Sequence, residues 1–152
     1  LNNITEDLVD NVFDALETAK KAHSLLPPLP PDLKPVYMRI LHAIYRIRDT
    51  TGNACVTDIN TALNFSLPNT TKFVNELFQL KIVEKSTLST DKRVVLVHAT
   101  EIGEEYIHKY ILTYQTRLLD EFMRIGKSDC TTMIETITKV YQAMGKIYSA
   151  ED

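Results

Sequence analysis

Tryptophan is absent from the sequence, cysteine occurs only twice and glycine four times. Each scarcity excludes something. Cys55 and Cys130 stand far apart with no CxxC pair, so neither a disulfide scaffold nor a zinc knuckle is encoded, and a reducing, cytoplasmic setting is expected. There is no Gly-rich phosphate loop, no HExxH and no GxSxG, so no catalytic residue and no enzyme is expected. No run approaches the roughly 20 apolar residues that cross a bilayer. The first segment is acidic where a signal peptide would be positive and then apolar, so no membrane association is expected. The first residue is Leu1 rather than Met, so a trimmed chain is expected. Positive charge is not in excess either. The net charge is -3 and the isoelectric point near 5.8, which argues against a histone-like nucleic-acid binder but leaves room for a local basic patch.

What is present suits one folded unit: 152 residues, 44% hydrophobic and 24% charged, are enough for one core and too few for two. From Ile4 to Leu26, apolar Ile4, Leu8, Val12 and Leu16 oppose acidic Glu6, Asp7, Asp10, Asp14 and Glu17, which predicts an amphipathic helix. Pro27, Pro28, Pro30 and Pro31 cannot continue it and make a stiff connector. Asp32 is the expected cap of a second helix, with Pro35 in its first turn. Its two apolar stripes, Val36, Ile40, Ile44 and Ile47 on one side and Tyr37, Leu41 and Tyr45 on the other, predict burial on both. After a turn at Gly52, extended Ala54 to Val56 leads to Thr57, the expected cap of a short helix that Asn64 ends in left-handed geometry.

Ser66 caps the next helix, Pro68 sits in its first turn, and Phe73, Val74, Leu77 and Leu80 face inward. The β-branched runs Ile82 to Lys85 and Val94 to Val97 bracket a charged tip from Ser86 to Arg93, a hairpin pattern. A long helical pattern runs from about Glu101 to Ile125 and stops at Gly126. Ser128 then caps a last helix with Ile134, Ile137, Val140, Tyr141, Met144, Ile147 and Tyr148 inward.

Helix, turn, helix and charged hairpin, in that order from Thr57 to Val97, is the plan of a winged helix-turn-helix whose second short helix enters the major groove. The expected fold is therefore mainly α with a small β-hairpin wing, the winged helix-turn-helix core occupying residues 32–99. The apolar stripes of the first and last helices have little to cover them within such a unit, and packing on a second copy gives a two-fold homodimer. Residues 1–31 then form an N-terminal dimerisation helix with its Pro-rich connector, and residues 100–152 form C-terminal dimerisation helices. Two recognition helices would lie roughly 34 Å apart and call for a pseudo-palindromic operator in double-stranded DNA.

The segment also resembles the MarR family of bacterial transcriptional regulators, whose pattern is a capped recognition helix, an LVER-like strand, a wing with Asp-x-Arg, an aliphatic strand and Thr-x-x-Gly. Here these are Ser66 to Lys72, Ile82-Val83-Glu84-Lys85, Asp91-Lys92-Arg93, Val94-Val95-Leu96-Val97 and Thr100-Glu101-Ile102-Gly103. Five elements in register cover a little over a quarter of the chain, and the flanking helices extend the likeness to nearly all of it. The family usually has glycine where Lys81 stands.

The expected DNA contacts follow. At the amino end of the recognition helix stand Ser66, Pro68, Asn69, Thr70, Thr71, Lys72 and Asn75. Backbone N–H groups there attract phosphate, Asn and Thr bond base edges, and Lys72 pairs with a phosphate or a guanine. In the wing, Lys92 and Arg93 suit the minor groove, with Asp91 orienting Arg93; the resemblance implies that this arginine is the minor-groove contact. Residues 57–98 carry five basic against four acidic side chains, which predicts modest, salt-dependent non-specific affinity. Arg39, Arg46 and Arg48 add backbone contacts or remain solvated charge.

The resemblance further implies a repressor released by a small aromatic or phenolic effector bound between the dimerisation helices and the DNA-binding lobe. Tyr37, Met38, His42 and Tyr45 either line such a pocket or fill the core. The first helix lacks the cysteine of the peroxide-sensing branch, and Cys55 and Cys130 read as packed thiols. Glu104 and His108 share a helical face without the second histidine a zinc site would need, so no metal or cofactor is expected. The alternative function is a winged-helix protein-interaction module that sets the same helix into a protein groove.

Overall fold

A computed structural model describes residues 4–148. Helix α1 (Glu6–Ser24) starts behind Thr5, whose hydroxyl accepts the Leu8 N–H at 3.3 Å, and places Glu6 and Asp7 at its positive end. After the proline connector, α2 (Pro35–Thr51) begins directly at the proline. Its cap is Lys34, with extended backbone and no capping side chain, and not Asp32 as expected. Pro35 at the first helical position brings a φ already suited to a helix and no N–H of its own to satisfy, and the Tyr37 N–H bonds the Lys34 carbonyl, so the helix starts without a capping side chain. Both stripes of α2 are used: Tyr37, Ile40, Leu41, Ala43 and Ile44 are buried, with Val36, Met38, Tyr45 and Ile47 packed beside them.

Strand β1 (Ala54–Cys55) runs straight into α3 (Val56–Leu63), which begins one residue before the expected cap Thr57. Cys55 caps it instead: its N–H donates to Asp58 Oδ2 at 3.2 Å and its thiol to the same oxygen at 2.9 Å. Asn64, at φ 52°, ends α3 in the left-handed conformation. Helix α4 (Leu67–Gln79) follows, with Ser66 as its cap accepting the Asn69 N–H at 3.4 Å and Pro68 in the first turn. Lys81 takes the left-handed residue after α4 at φ 59°, with its N–H on the Phe78 carbonyl and the Ile82 N–H on the Leu77 carbonyl.

Strands β2 (Val83–Thr87) and β3 (Val95–Ala99) pair antiparallel, with Lys85 opposite Val97, each one or two residues later than the β-branched runs suggest. β1 pairs with the outer side of β3, giving the sheet order β1-β3-β2, a pairing the two residues of β1 do not announce in sequence. Thr100 caps α5 (Glu101–Ile107), accepting the Gly103 N–H at 3.3 Å, while its hydroxyl lies 2.7 Å from the Lys81 carbonyl oxygen. A Cβ at position 103 would lie 2.3 Å from the Ile82 carbonyl oxygen, so only glycine lets α5 approach β2 this closely. Thr100 and Gly103 together thus fasten the wing's base to the helix that follows.

The long C-terminal helix is interrupted by a π-helical turn, His108–Leu112, before α6 (Thr113–Ile125), which Gly126 ends at φ 98°. In α7 (Lys127–Tyr148), the Cys130 N–H bonds to the Gly126 carbonyl, so Ser128 lies inside the first turn and does not cap it. The core gathers side chains from α2, α3, α4, the sheet and the α5–π junction, including Ile40, Leu41, Ile59, Val74, Leu77, Val97 and Ile107. The expected inward face of α7 is not buried within one chain. Ile134, Ile137, Tyr141 and Ile147 are exposed, Val140 and Met144 half-buried, and the side chain of Tyr148 falls outside the described residues. Among the described residues no helix is long and apolar enough to cross a membrane.

Candidate nucleic-acid interface

Helix α4 is locked before it presents anything. Thr70, expected at the DNA surface, is fully buried, its hydroxyl 3.1 Å from Asn60 Oδ1 on α3 and 3.2 Å from the Ser66 carbonyl oxygen. It fixes the angle between α3 and α4 and has no exposed atom to offer a base, which corrects its expected role. On the side facing α2, the Tyr37 hydroxyl donates to Glu76 Oε2 at 2.5 Å and Lys34 Nζ to the same oxygen at 3.1 Å. These two bonds, Tyr37's first, hold the Glu76 carboxyl below its ordinary range.

With Thr70, Val74 and Leu77 inward, helical periodicity sends Pro68, Lys72, Asn75 and Gln79 outward, and all four are exposed. Ser66, Asn69 and Thr71 are exposed around the amino end, although the Ser66 hydroxyl is engaged in the cap. Sequence reasoning missed two members of this surface. Gln79 continues the outward row by the same 3.6-residue period, and Leu67 is 49% exposed although apolar. No periodicity argument finds Leu67, because the first helical residue has no preceding turn to cover it.

In the wing, Asp91 takes Arg93 in a fork, Nε to Oδ1 at 3.1 Å and Nη2 to Oδ2 at 3.2 Å, and accepts the Arg93 N–H as well. The guanidinium first and the backbone N–H second lower the Asp91 pKa. Arg93 keeps its side chain 91% exposed, and Lys92 is exposed beside it. The orienting role expected of Asp91 thus has its geometry. Thr71 and Asn75 of α4, Lys85, Arg93 and Val95 of the wing, and Cys55 and Thr57 at the start of α3 line one cleft of about 430 Å³. Lys85 Nζ also donates to Asn75 Oδ1 across it. Eight of the expected contacts, Ser66, Pro68, Asn69, Thr71, Lys72, Asn75, Lys92 and Arg93, therefore stand on exposed surfaces of the α4 segment and the wing, and three of them, Thr71, Asn75 and Arg93, line a shared cleft. The arginines of α2 are otherwise engaged in part: Arg48 pairs with Glu104 of α5, and Arg39 lies over the Phe65 ring at 4.8 Å, while Arg46 is exposed.

No family model matches this chain, and no curated protein matches it in sequence. Solved structures do match it. A mutant of MarR from E. coli complexed with operator DNA superposes with a TM-score of 0.65 at 18% identity, over 91% of this chain and 99% of that one. The PcaV transcriptional regulator of Streptomyces coelicolor, in complex with its natural ligand, gives 0.64 at 15% identity over 93% and 99%. MepR of S. aureus in a DNA complex gives 0.59 at 14% over 93% and 99%. The fold is the MarR-family winged helix.

Within this MarR-type fold a second concavity, about 450 Å³, opens where the end of α1, the proline connector, α2 and the π turn meet. Leu26, Leu33 and Met38 give it apolar walls, His23, Arg39 and His42 its polar groups, and the π turn supplies Tyr110 and Ile111. Of the expected lining, Met38 and His42 are here, whereas Tyr37 is buried in the core. Burial, and then the nearby charge of Arg46, lower the pKa of His42 from 6.5. Glu104 pairs with Arg48 across the helix pair.

Proposed function

We propose that the protein is a sequence-specific DNA-binding transcription regulator, a homodimer that represses by occupying a pseudo-palindromic operator and is released by a small aromatic or phenolic effector. The observation that carries this reading is the pairing of a rigidly held α4, its outward row polar and singly charged, with a wing whose Arg93 guanidinium is pre-oriented by Asp91 beside the same cleft. Such a helix fits a major groove and such an arginine the neighbouring minor groove. Ser66, Pro68, Asn69, Thr71, Lys72 and Asn75 with Lys92 and Arg93 are the proposed contacts, and Asp91 positions.

Residues 32–99 serve as the DNA-binding lobe, with 1–31 and 100–152 serving dimerisation. The support is the apolar surface left open on the terminal helices: Leu8 and Phe13 on α1, Leu119 and Phe122 on α6, Ile134 and Ile137 on α7. A second copy related by a two-fold axis covers the same patch on both chains. The concavity beside the connector lies where these helices meet the lobe, and its volume and mixed lining suit a small ligand, with Arg39 available to an acidic group. An occupant there would bear on α1, α2 and the π turn together, and so on the spacing of two recognition helices. No role in catalysis is proposed.

The test is capture of fragments from sheared genomic DNA at moderate salt, followed by Arg93→Ala on the enriched sites. Inverted repeats that bind with steep salt dependence, and an affinity loss of about tenfold in Arg93→Ala with melting and dimer mass unchanged, are expected. A folded dimer that enriches nothing and binds a protein instead would favour the interaction-module reading.

A further inference from the structure

The base-facing chemistry of α4 has a bias that the DNA-binding reading, on which this inference rests, does not by itself supply. Guanine is read best by the arginine fork, and α4 contains no arginine. Its one cation, Lys72, is a single point charge exposed in the outward row, without the guanidinium's two-pronged match to guanine, and it suits a phosphate contact. What the exposed surface offers to base edges is amides and methyls. The Asn69 and Asn75 side chains can each donate to adenine N7 while accepting from N6, and the Asn75 amide is already oriented by Lys85. Leu67, half exposed at the helix start, stands one turn before Thr71, which lines the cleft shared with the wing. The apolar feature of a major groove that these side chains can meet is the thymine 5-methyl group.

We propose that α4 reads A·T base pairs, Asn69 and Asn75 taking adenine edges while Leu67 and Thr71 pack on thymine methyls, so that the half-site it selects requires no guanine.

The experiment selects duplexes from a random pool with the full-length chain, scans the winning half-site by single base-pair substitution, and then replaces its thymines with uracil, which removes only the major-groove methyl. The most sensitive positions are expected to be A·T, and each contacted thymine replaced by uracil should weaken binding about fourfold, as expected for one methyl's burial. Leu67→Ala should bind thymine and uracil versions of its contacted position alike. Thr71→Ser, which keeps the hydroxyl and removes the methyl, should do the same at a second position, and it tests the idea even if Leu67→Ala folds poorly. Salt-steep binding to sites whose most sensitive positions are G·C, or binding indifferent to uracil, would overturn the inference while leaving DNA binding intact. The absence of any salt-steep duplex binding would overturn the DNA-binding reading and this inference with it.

Discussion

The lobe from α2 to α5 and the terminal helices solve the burial problem differently. In the lobe, Ile40, Leu41, Ile59, Val74, Leu77 and Val97 are fully buried by elements distant in sequence. In α1 and α6 no residue is buried at all, although both are as amphipathic in pattern as α4. The first region is complete in one chain; the second keeps most of its apolar face open, α1 and α7 sharing only a cleft lined by Val12, Leu16, Ile137 and Val140. An isolated helix of this length is marginal in water, so α1 and α6 depend on packing that the lobe does not supply. The self-association proposed above would account for that difference, and it can be tested on either side.

The largest effect is expected at the open face. Phe122→Glu, at a side chain 52% exposed in the single chain, would set a charge into the apolar contact between copies, weakening self-association by at least about a hundredfold. Sedimentation should show a half-mass species with the lobe still folded. An unchanged dimer would move the interface off α6. Next comes the lobe itself: Leu41→Ala, at a residue with no exposed surface, should cost about 2–5 kcal/mol in denaturant unfolding. The same truncation at Leu119, 57% exposed, should leave monomer stability within about 0.5 kcal/mol and register as weaker association. Equal losses at the two sites would erase the distinction between the regions.

The lobe was also the more legible region. Ser66, Pro68 and Asn64 announce α4 and the end of α3 because capping is local chemistry, read from three or four neighbouring residues. The caps of α2 and α3 differ from the expected Asp32 and Thr57 for an equally local reason: Pro35 starts a helix unaided, and Cys55 with Asp58 makes a capping pair out of a residue that is rarely one. Non-local features were not legible. The burial of Thr70 depends on Asn60 ten residues earlier, the third strand on a pairing of Ala54 with Val97, and the π turn on how α5 meets the core. Of the proposed site, the residue types and their order were visible in sequence, but which of them face outward had to wait for the packing of α3 on α4. Thr-x-x-Gly was visible as a pattern, and its cause, the approach of Ile82's carbonyl to Gly103, only in three dimensions.

A smaller effect sharpens the comparison from inside the lobe. Lys81 holds a left-handed backbone conformation that costs a residue with a Cβ about 1 kcal/mol relative to glycine. Lys81→Gly should therefore raise the melting temperature by about 2–4 °C without altering dimer mass, since the turn between α4 and β2 lies in the self-contained region. A lower melting temperature would mean that the lysine side chain makes a compensating contact in solution.

The smallest expected effect sits on the boundary between the two regions. His42 belongs to the lobe by position in α2, yet it lines the concavity beside the connector, and its Nε2 lies 3.3 Å from Gln115 Nε2 on α6. Burial, then Arg46, favour the neutral imidazole, so the folded chain binds its proton less readily than the unfolded chain does. The stability this contributes is fully present above the ordinary histidine pKa of 6.5 and is lost relative to that plateau as pH falls from there toward the lowered folded value. Glu76 acts in a separate window, because a carboxyl whose folded pKa is depressed loses its contribution only as pH falls below its ordinary 4.5. Melting measured between pH 7.5 and about pH 5 should therefore fall more steeply for the native chain than for His42→Gln, whose amide keeps a polar group near Gln115 and does not titrate. Equal slopes would mean that His42 is as well solvated in the folded protein as in the unfolded one. The contact between α2 and α6 would then be open to water in solution, and the boundary would belong with the terminal helices.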